Sequence, residues 1–377
     1  MRKHISALTV VLLLAVWGVQ AQTETELEPT TFFMTFVPNV QFAQMYVGLE
    51  RGYFEEAGYD LSLEYGAEPD GVELIALGER SYGLIAGEQV LTARANGRPV
   101  VSVYEWWQQY PIVIATSVES GIETPQDLAG RRVGVPGRFG ATYAGLIALL
   151  NAGDLVEADV DLREIGFSAP EVLCVGGVEA SAVYGNNEPQ QVSQRIQADD
   201  CEAIEAVSII RVSDYVDMVS NGVVTNEEMI AEQPERVRAL VAAFDQSVAD
   251  VIHNPFDAYL LSESYIENLP LTDELRLALE SAAAEQQAIV ADTNDRAEIA
   301  DSRNRIFESL QSDFSSSDLL QLNVLMQTVE LWDADRLGLA DAESWRTTQE
   351  ILLQMNFIEE PTDVDAAFTN DFLPETE

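Results

Sequence analysis

The stretch TFFMTFVPNVQFAQMYVGLERGYFEEAGYDLSLEYG, residues 31–66, predicts a strand, a helix and a second strand in succession. The first apolar run ends at Pro38, and the middle segment has helical spacing and ends at Gly58. The last segment, YDLSLEYG, places apolar residues at alternate positions, as a strand does. This order of elements is typical of α/β domains. Asn39 and Gln41 lie between the first strand and the helix, where open α/β sheets bind their ligands.

The same alternation continues to about residue 220 and restarts once on the way. After Glu119 a second series begins with TPQDLAG, in which Thr124 precedes Pro125 at a first helical position. From Asn226 onward the pattern is almost wholly helical. We therefore expect two α/β lobes in succession, with a cleft between them and a helical C-terminal region.

Residues 1–21 are predicted to be a signal peptide. MRKHISALTVVLLLAVWGVQAQ has a basic start, an apolar run and small residues before Gln22. The apolar run is shorter than the roughly 20 residues that a spanning helix needs. An uncleaved membrane anchor is the alternative. Because no cysteine follows the run, we do not expect a lipid anchor. The mature protein is expected to be exported, to a periplasmic or other extracytoplasmic location.

The chain is strongly acidic, with a formal net charge of −44, and Lys3 is its only lysine. Binding to nucleic acid or to anionic membranes depends on Lys and Arg, so the charge argues against both partners. Adaptation to a saline environment and a general preference for Arg and acidic residues both remain open as causes of this composition.

Catalysis is not expected. Beyond the predicted signal peptide the chain has one histidine, His253, which cannot form a multi-histidine metal site or serve a distant nucleophile. A pyridoxal-phosphate enzyme needs a lysine, and no lysine follows Lys3. We therefore expect no cofactor and no metal. In an oxidising compartment Cys174 and Cys201 are able to pair, and two buried thiols that never meet are the alternative.

The candidate ligand-binding residues lie mainly in the segments that follow predicted strands. Amides offer donors and acceptors to a ring edge, aromatic side chains stack on a ring face, and glycine turns expose backbone N–H groups. The candidates are Asn39, Gln41, Phe42, Glu88, Trp106, Trp107, Tyr110, Gly137, Phe139, Gly140, Tyr143, Tyr184, Asn186, Asn187, Glu188 and Asn221.

Two of these assignments have structural alternatives. Asn39 is also a good helix cap. Strand alternation would send Trp106 and Trp107 to opposite faces, so that one stacks on ligand while the other enters the core, and two structural tryptophans are the alternative. The candidate segments are poor in Arg and Lys, which anionic ligands usually require. The composition therefore favours a neutral, flat heteroaromatic ligand.

Four segments carry a resemblance to a known family: PNVQFAQMYVGLERGYFEEAGYDL, EQVLTARANGRPVVSVYEWWQQYP, SGIETPQDLAGRRVGVPGRFGATYAG and the closing FTNDFLP. They resemble the periplasmic substrate-binding proteins of ABC importers, in the branch that serves thiamine-pyrimidine precursors and riboflavin. The YEWWQQYP and YGNNEP segments are most similar to the riboflavin-binding members.

The resemblance implies a type II periplasmic-binding fold with two α/β lobes, hinge strands and a helical C-terminal extension. Lobe I would comprise residues 30–116 and 215–377, and lobe II residues 117–214, with hinges near 115–117 and 213–217. The family's pyrimidine-synthesising enzymes share this fold, but this chain has neither their active-site lysine nor their cysteine-rich motif.

The function that the resemblance implies is capture of riboflavin by lobe closure and delivery to an ABC permease, by a protein that we expect to be a monomer. An aminopyrimidine thiamine precursor, with Glu88 or Glu188 paired to its exocyclic amine, is the alternative ligand. A ligand-sensing subunit for a signalling partner is the alternative of a different class.

Overall fold

The structure is a computed structural model that describes residues 27–375. The predicted signal peptide, residues 1–21, lies outside the described residues. Within residues 27–375, no helix has the length and apolar character needed to cross a membrane.

The described strands form two five-stranded sheets, with the orders β2-β1-β3-β10-β4 and β7-β6-β8-β5-β9. The strands are β1 (Glu28–Thr35), β2 (Tyr59–Gly66), β3 (Tyr82–Ala86), β4 (Val100–Glu105), β5 (Ile112–Ser117), β6 (Arg132–Val135), β7 (Asp161–Glu164), β8 (Ala180–Tyr184), β9 (Val207–Arg211) and β10 (Asn221–Asn226). In the first sheet, β1 is parallel to β2 and β3, and β10 runs antiparallel between β3 and β4. In the second, β6 is parallel to β7 and β8, and β5 is antiparallel to β8 and β9.

The α-helices flank these sheets. They are α1 (Ala43–Glu50), α2 (Tyr53–Glu56), α3 (Glu68–Ala76), α4 (Gly87–Ala95), α5 (Gly140–Ala152), α6 (Ala169–Cys174), α7 (Glu188–Gln197), α8 (Glu227–Glu232), α9 (Pro234–His253), α10 (Pro255–Leu261), α11 (Asp273–Asp292), α12 (Arg296–Asp313), α13 (Leu320–Trp332) and α14 (Ala342–Gln354). Residues of α9 to α13 share one hydrophobic core with β1, β3 and β4. The C-terminal helices therefore belong to lobe I, and the predicted two-lobed α/β fold is confirmed.

The chain passes between the two sheets at two places. The first passage lies between Glu105 and Ile112, because β5 pairs on both sides within the second sheet. It precedes the predicted division at 116–117, and residues 115–117 are ladder positions in β5. The second passage lies between Arg211 and Asn221, and it contains the predicted division at 214–215.

One predicted helix is wrong. The segment from Phe42 to Gly58 begins at the last residue of a 3₁₀ turn, Val40–Phe42, and forms two helices, α1 and α2, because Gly52 adopts a left-handed conformation with φ of +74°. Glycine takes this conformation without a steric penalty, so it breaks a helix that the apolar spacing alone would continue. The capped turn at Thr124 is present as a 3₁₀ helix, Pro125–Leu128.

A disulfide joins Cys174 and Cys201 within lobe II, with a Cα–Cα distance of 4.3 Å. It connects the end of α6 to the segment before β9. The bridge therefore closes a loop that includes β8 and α7, both of which contribute residues to the cleft between the lobes.

Candidate functional site

A cavity of about 250 Å³ lies between the two lobes. Its walls are formed where strands of both sheets end and the following segments begin. The lining residues are Thr35, Phe36, Gln41, Phe42, Gly66, Ala67, Glu68, Trp106, Trp107, Pro136, Phe139, Gly140, Ala141, Thr142, Gly166, Phe167, Ala169, Ala182, Val183, Tyr184, Asn187, Glu188 and Asn221.

One wall of the cavity is a cluster of packed aromatic rings. The ring centroids of Phe42 and Trp106 are 5.8 Å apart in a stacked arrangement, and those of Trp106 and Trp107 are 4.9 Å apart. Trp332 from α13 packs behind this pair, 5.3 Å from Trp106. Tyr184 extends the wall into lobe II, 5.8 Å from Trp107. A rigid aromatic surface of this kind suits the face of a planar ring.

Trp106 and Trp107 both line the cavity and both are buried, so strand alternation does not place them on opposite faces; stacking of either one on a ligand stays a prediction. The strand β4 ends at Glu105, and strand alternation no longer applies to the two residues that follow. Both backbone N–H groups instead donate to the carbonyl oxygen of Asn221, at 3.1 and 3.3 Å.

Two aromatic residues from different lobes meet where they line the cavity. Phe36 follows β1, and Phe167 follows β7; their ring centroids are 4.9 Å apart in an edge-to-face arrangement. Phe167 is 62% exposed. Phe36 has a φ of +67°, a left-handed conformation that costs a bulky residue free energy.

The charged residues of the lining are two glutamates, the buried Glu68 and the partly buried Glu188, and the lining within the described chain includes no Arg, Lys or His. Burial raises the pKa of Glu68 to about 7, against a hydrogen bond from the Ala86 N–H that lowers it. Burial likewise raises the pKa of Glu188 to about 7, although the Tyr184 N–H donates to its Oε2 at 3.1 Å. Arg138, the basic residue nearest in sequence to the lobe II turn, is exposed and pairs with Glu157 and Glu164.

Hydrogen bonds connect the lobes beside the cavity. The Tyr184 hydroxyl of lobe II donates to Asn221 Oδ1 at 2.9 Å, and Asn221 Nδ2 donates to Glu68 Oε1 at 3.2 Å. Outside the lining, Asn186 Nδ2 of lobe II donates to Thr328 Oγ1 of α13 at 2.7 Å. These contacts join the two lobes across the cleft beside the cavity.

The structure brings many of the predicted site residues together. Those that line the cavity are Gln41, Phe42, Trp106, Trp107, Phe139, Gly140, Tyr184, Asn187, Glu188 and Asn221. Those that do not are Asn39, Glu88, Tyr110, Gly137, Tyr143 and Asn186.

Local geometry explains why these others lie outside the lining. Asn39 accepts a hydrogen bond from the Gln41 N–H at 3.0 Å, so it caps the turn as its structural alternative required. The Tyr110 hydroxyl donates to the Ala141 carbonyl oxygen at 2.8 Å. The ring of Phe139 covers Gly137, whose Cβ position would lie 2.5 Å from that ring.

Two further exceptions, Tyr143 and Glu88, lie near the N-termini of α5 and α4 but are not lining residues. Gly140, Ala141 and Thr142 of α5 line the cavity, whereas the Tyr143 hydroxyl donates to Glu157. Glu88, in the first turn of α4, is buried, and neither of its carboxylate oxygens has a hydrogen-bond partner among the described residues.

Several lining residues were missed by the sequence reasoning, most notably Phe36, Glu68 and Phe167. Each lies in a segment directly after a strand: β1, β2 and β7 respectively. Ligands in open α/β sheets bind beyond the carboxyl ends of strands, so nominating the residues that follow every strand would have included these three.

A family model described as NMT1/THI5 like matches residues 39–258, which is more than half of the chain. The chain belongs to this family. The predicted family membership is therefore confirmed.

Two curated relatives and one solved structure illustrate the range of similarity. The chain is 29% identical over 356 residues to the riboflavin-binding protein RibY of Chloroflexus aurantiacus, covering 92% of this chain and 87% of the relative. It is 27% identical over 278 residues to a formylaminopyrimidine-binding protein of Halalkalibacterium halodurans, covering 72% and 82%. The structure of a putative periplasmic sulfonate-binding protein, SsuA of Methylobacillus flagellatus, superposes with a TM-score of 0.58 at 14% identity, covering 92% and 93%. The chain thus has the two-lobed fold of periplasmic binding proteins.

Proposed function

We propose that this member of the family is the extracytoplasmic substrate-binding subunit of an ABC importer, and that it captures riboflavin between its lobes by lobe closure. The observation that carries the proposal is the interlobe cavity, with its wall of packed aromatic rings and its lack of a cationic side chain among the described lining residues. Delivery to a membrane permease and export by a cleaved signal peptide are parts of the same proposal.

A three-ring isoalloxazine fits this surface better than a small anion does. Trp106 and Trp107 offer aromatic area for stacking, and Gln41, Asn187 and Asn221 supply amide groups for polar ring edges and hydroxyls. A phosphate or sulfonate would require a cationic partner that this lining does not offer. The relative named as riboflavin-binding supports the same choice.

Binding without catalysis is part of the proposal. The sequence contains no lysine beyond Lys3, so a lysine-dependent reaction of the kind expected for the family's synthases has no residue to support it. The glutamates and amides that line the cavity serve ligand recognition in this proposal.

An aminopyrimidine ligand is the second candidate, and Glu188 is the observation that favours it. This partly buried carboxyl group lines the cavity and is suited to pair with an exocyclic amine. The relative named as formylaminopyrimidine-binding supports it.

The proposal is tested first by the absorbance of the purified protein and then by a tryptophan-fluorescence titration with riboflavin. Yellow protein, or saturable quenching with micromolar or tighter affinity, about −8 kcal/mol, is expected. The unfolded protein in the same riboflavin solutions corrects for light that the flavin absorbs. The variant Trp107→Phe should lose part of the signal, whereas Trp345→Phe, which alters a core tryptophan outside the cavity, should retain it.

Colourless protein without saturable quenching would discard riboflavin. A saturable response to formylaminopyrimidine in the same assay would then put the second candidate in its place. A protein that binds its ligand but associates with a signalling protein rather than a permease would support the sensor alternative.

A further inference from the structure

Glu68 occupies an unusual position for a charged residue at the start of a helix. It is the first residue of α3, yet it is only 8% exposed and lines the cavity. Its Oε1 accepts hydrogen bonds from the Ala86 N–H at 2.6 Å and from Asn221 Nδ2 at 3.2 Å. Two donors of lobe I therefore fix one oxygen of this carboxyl group and thereby determine where the other oxygen points.

The second oxygen, Oε2, has no hydrogen-bond partner within residues 27–375. It lies 3.1 Å from the position that a Cβ would occupy on Gly140, the first residue of α5 in lobe II. Glycine leaves this approach open, and the N-terminus of α5 favours a negative charge beside it. The free oxygen thus lies in the cleft between the lobes, on a residue that lines the cavity, where a ligand can reach it.

A second buried carboxyl group, Glu88, accompanies Glu68. Burial, and then the charge of Glu68, raise the pKa of Glu88 well above its ordinary value, whereas that of Glu68 rises to about 7. The charge of Glu68 opposes ionisation of Glu88, so Glu88 holds its proton more tightly than Glu68 does. Tyr110 and Tyr184, the titratable hydroxyl groups that surround the pair, stay neutral because burial raises the pKa of both.

We propose that Glu68 determines the specificity of the site, by accepting at its free Oε2 a hydrogen bond from a ring N–H or an exocyclic amino group of the ligand. The proposal rests on the function proposed above and names the chemistry that the cavity selects: a planar heteroaromatic ring that presents an N–H donor on its edge. In riboflavin that donor is the imide N3–H. Asn221 acts as a positioning residue, because it orients the carboxyl group and is itself held by Tyr184.

The substitution Glu68→Gln tests the proposal with little change of volume. Ala86 and Asn221 both donate to the fixed oxygen site, so the amide oxygen of the glutamine will occupy it. Its NH₂ group then replaces the free carboxylate oxygen and opposes the ligand N–H with a second donor. The variant therefore reverses the polarity of the site at one atom.

The experiment compares the dissociation constants of riboflavin and of 3-methylriboflavin, in which a methyl group replaces the N3 hydrogen, for wild type, Glu68→Gln and Glu188→Gln. Wild type should prefer riboflavin, and Glu68→Gln should weaken riboflavin binding by about tenfold to a hundredfold, the range for a buried donor left without its acceptor. The same variant should lose the preference over the methylated analogue. Glu188→Gln should keep that preference. Circular dichroism and a thermal melt verify that both variants are folded.

Three outcomes would overturn the proposal: a preference for riboflavin that survives in Glu68→Gln, an equal weakening of both flavins, or a preference lost in Glu188→Gln instead. If wild type binds no flavin at all, the function proposed above fails separately. The role of Glu68 is then tested with an aminopyrimidine and its counterpart that carries hydrogen in place of the amino group. Glu68→Gln should abolish discrimination between these two ligands, and discrimination that persists refutes the proposal.

Discussion

The contact between Phe36 and Phe167 predicts how fast the closed cleft releases its ligand. The two rings come from different lobes, and the pair has the edge-to-face geometry that is worth about 0.5–1.5 kcal/mol between aromatic side chains. Opening the cleft must break this contact. Phe167→Ala should therefore weaken ligand binding by about 2- to 13-fold, mainly through faster dissociation. Because Phe167 is 62% exposed, the variant should leave the stability of the ligand-free protein nearly unchanged.

The backbone of Phe36 has an unfavourable effect on stability, opposite in sign to the favourable contact that its ring makes. Its left-handed backbone costs roughly 1–3 kcal/mol for a non-glycine residue, and glycine adopts the same φ without that cost. Phe36→Gly removes both the ring and the strain, whereas Phe36→Ala removes the ring and keeps the strain. The two variants should have the same ligand affinity, while the glycine variant has a free energy of unfolding about 1 kcal/mol higher than the alanine variant, after allowance for the entropy of the unfolded glycine chain.

Stopped-flow tryptophan fluorescence gives the dissociation rates, and urea denaturation without ligand gives the free energies of unfolding. Wild-type dissociation rates in Phe167→Ala would show that the aromatic contact does not hold the cleft closed. Equal stabilities of Phe36→Gly and Phe36→Ala would show that the backbone at this position stores no strain.

Three further predictions concern stability. The raised pKa values of Glu68 and Glu188 mean that the folded state binds protons more tightly than the unfolded chain, so the free energy of unfolding should fall as pH rises from about 4.5 to about 7. Urea denaturation across this pH range should show a smaller fall in the free energy of unfolding for Glu68→Gln and Glu188→Gln than for wild type. Glu56→Gln, at an exposed position, is the control. A pH dependence that is unchanged in the first two variants contradicts the raised pKa values. Replacing Cys174 and Cys201 together by Ala should lower the free energy of unfolding of lobe II by about 3.5 kcal/mol, from the loop of 27 residues that the bridge closes, and a loss below about 1 kcal/mol would contradict this. Because the net charge is −44, raising NaCl from 0.1 to 1 M should raise the melting temperature by screening repulsion between acidic groups, and a lower melting temperature would contradict that reasoning.

The fold was largely predictable because its signals are local. The segment YDLSLEYG is β2, Tyr59–Gly66, as its alternation predicted, and the restart near Glu119 corresponds to the second sheet. The assignment of β5 to a lobe was not predictable in the same way, because an apolar strand pairs equally well in either sheet. That choice depends on long-range partners, β8 and β9, which a single sequence does not reveal.

The site was predictable where a residue's position follows from the end of a strand, as for Phe42, Trp106 and Tyr184. Glu68 was missed because its acidic, proline-containing surroundings are typical of an exposed turn, and only the contacts with Ala86 and Asn221 bury it. Conversely, Tyr143 was nominated because it is close in sequence to the glycine turn at 137–140, although the helix turns its side chain toward Glu157. Direction along a helix, rather than sequence distance, decided that case.

The backbone hydrogen bonds from Trp106 and Trp107 to Asn221 have a consequence for how ligand preference changes among related proteins. These three residues line the cavity. Their hydrogen bonds also join the first passage between the sheets to the start of β10, the strand that follows the second passage. In the function proposed above, the surface that recognises the ligand is therefore also the place where the two connections between the lobes are joined. A substitution at one of these three residues that reshapes the cavity is also expected to change the angle to which the lobes open. Ligand preference and release rate are therefore expected to change together among relatives.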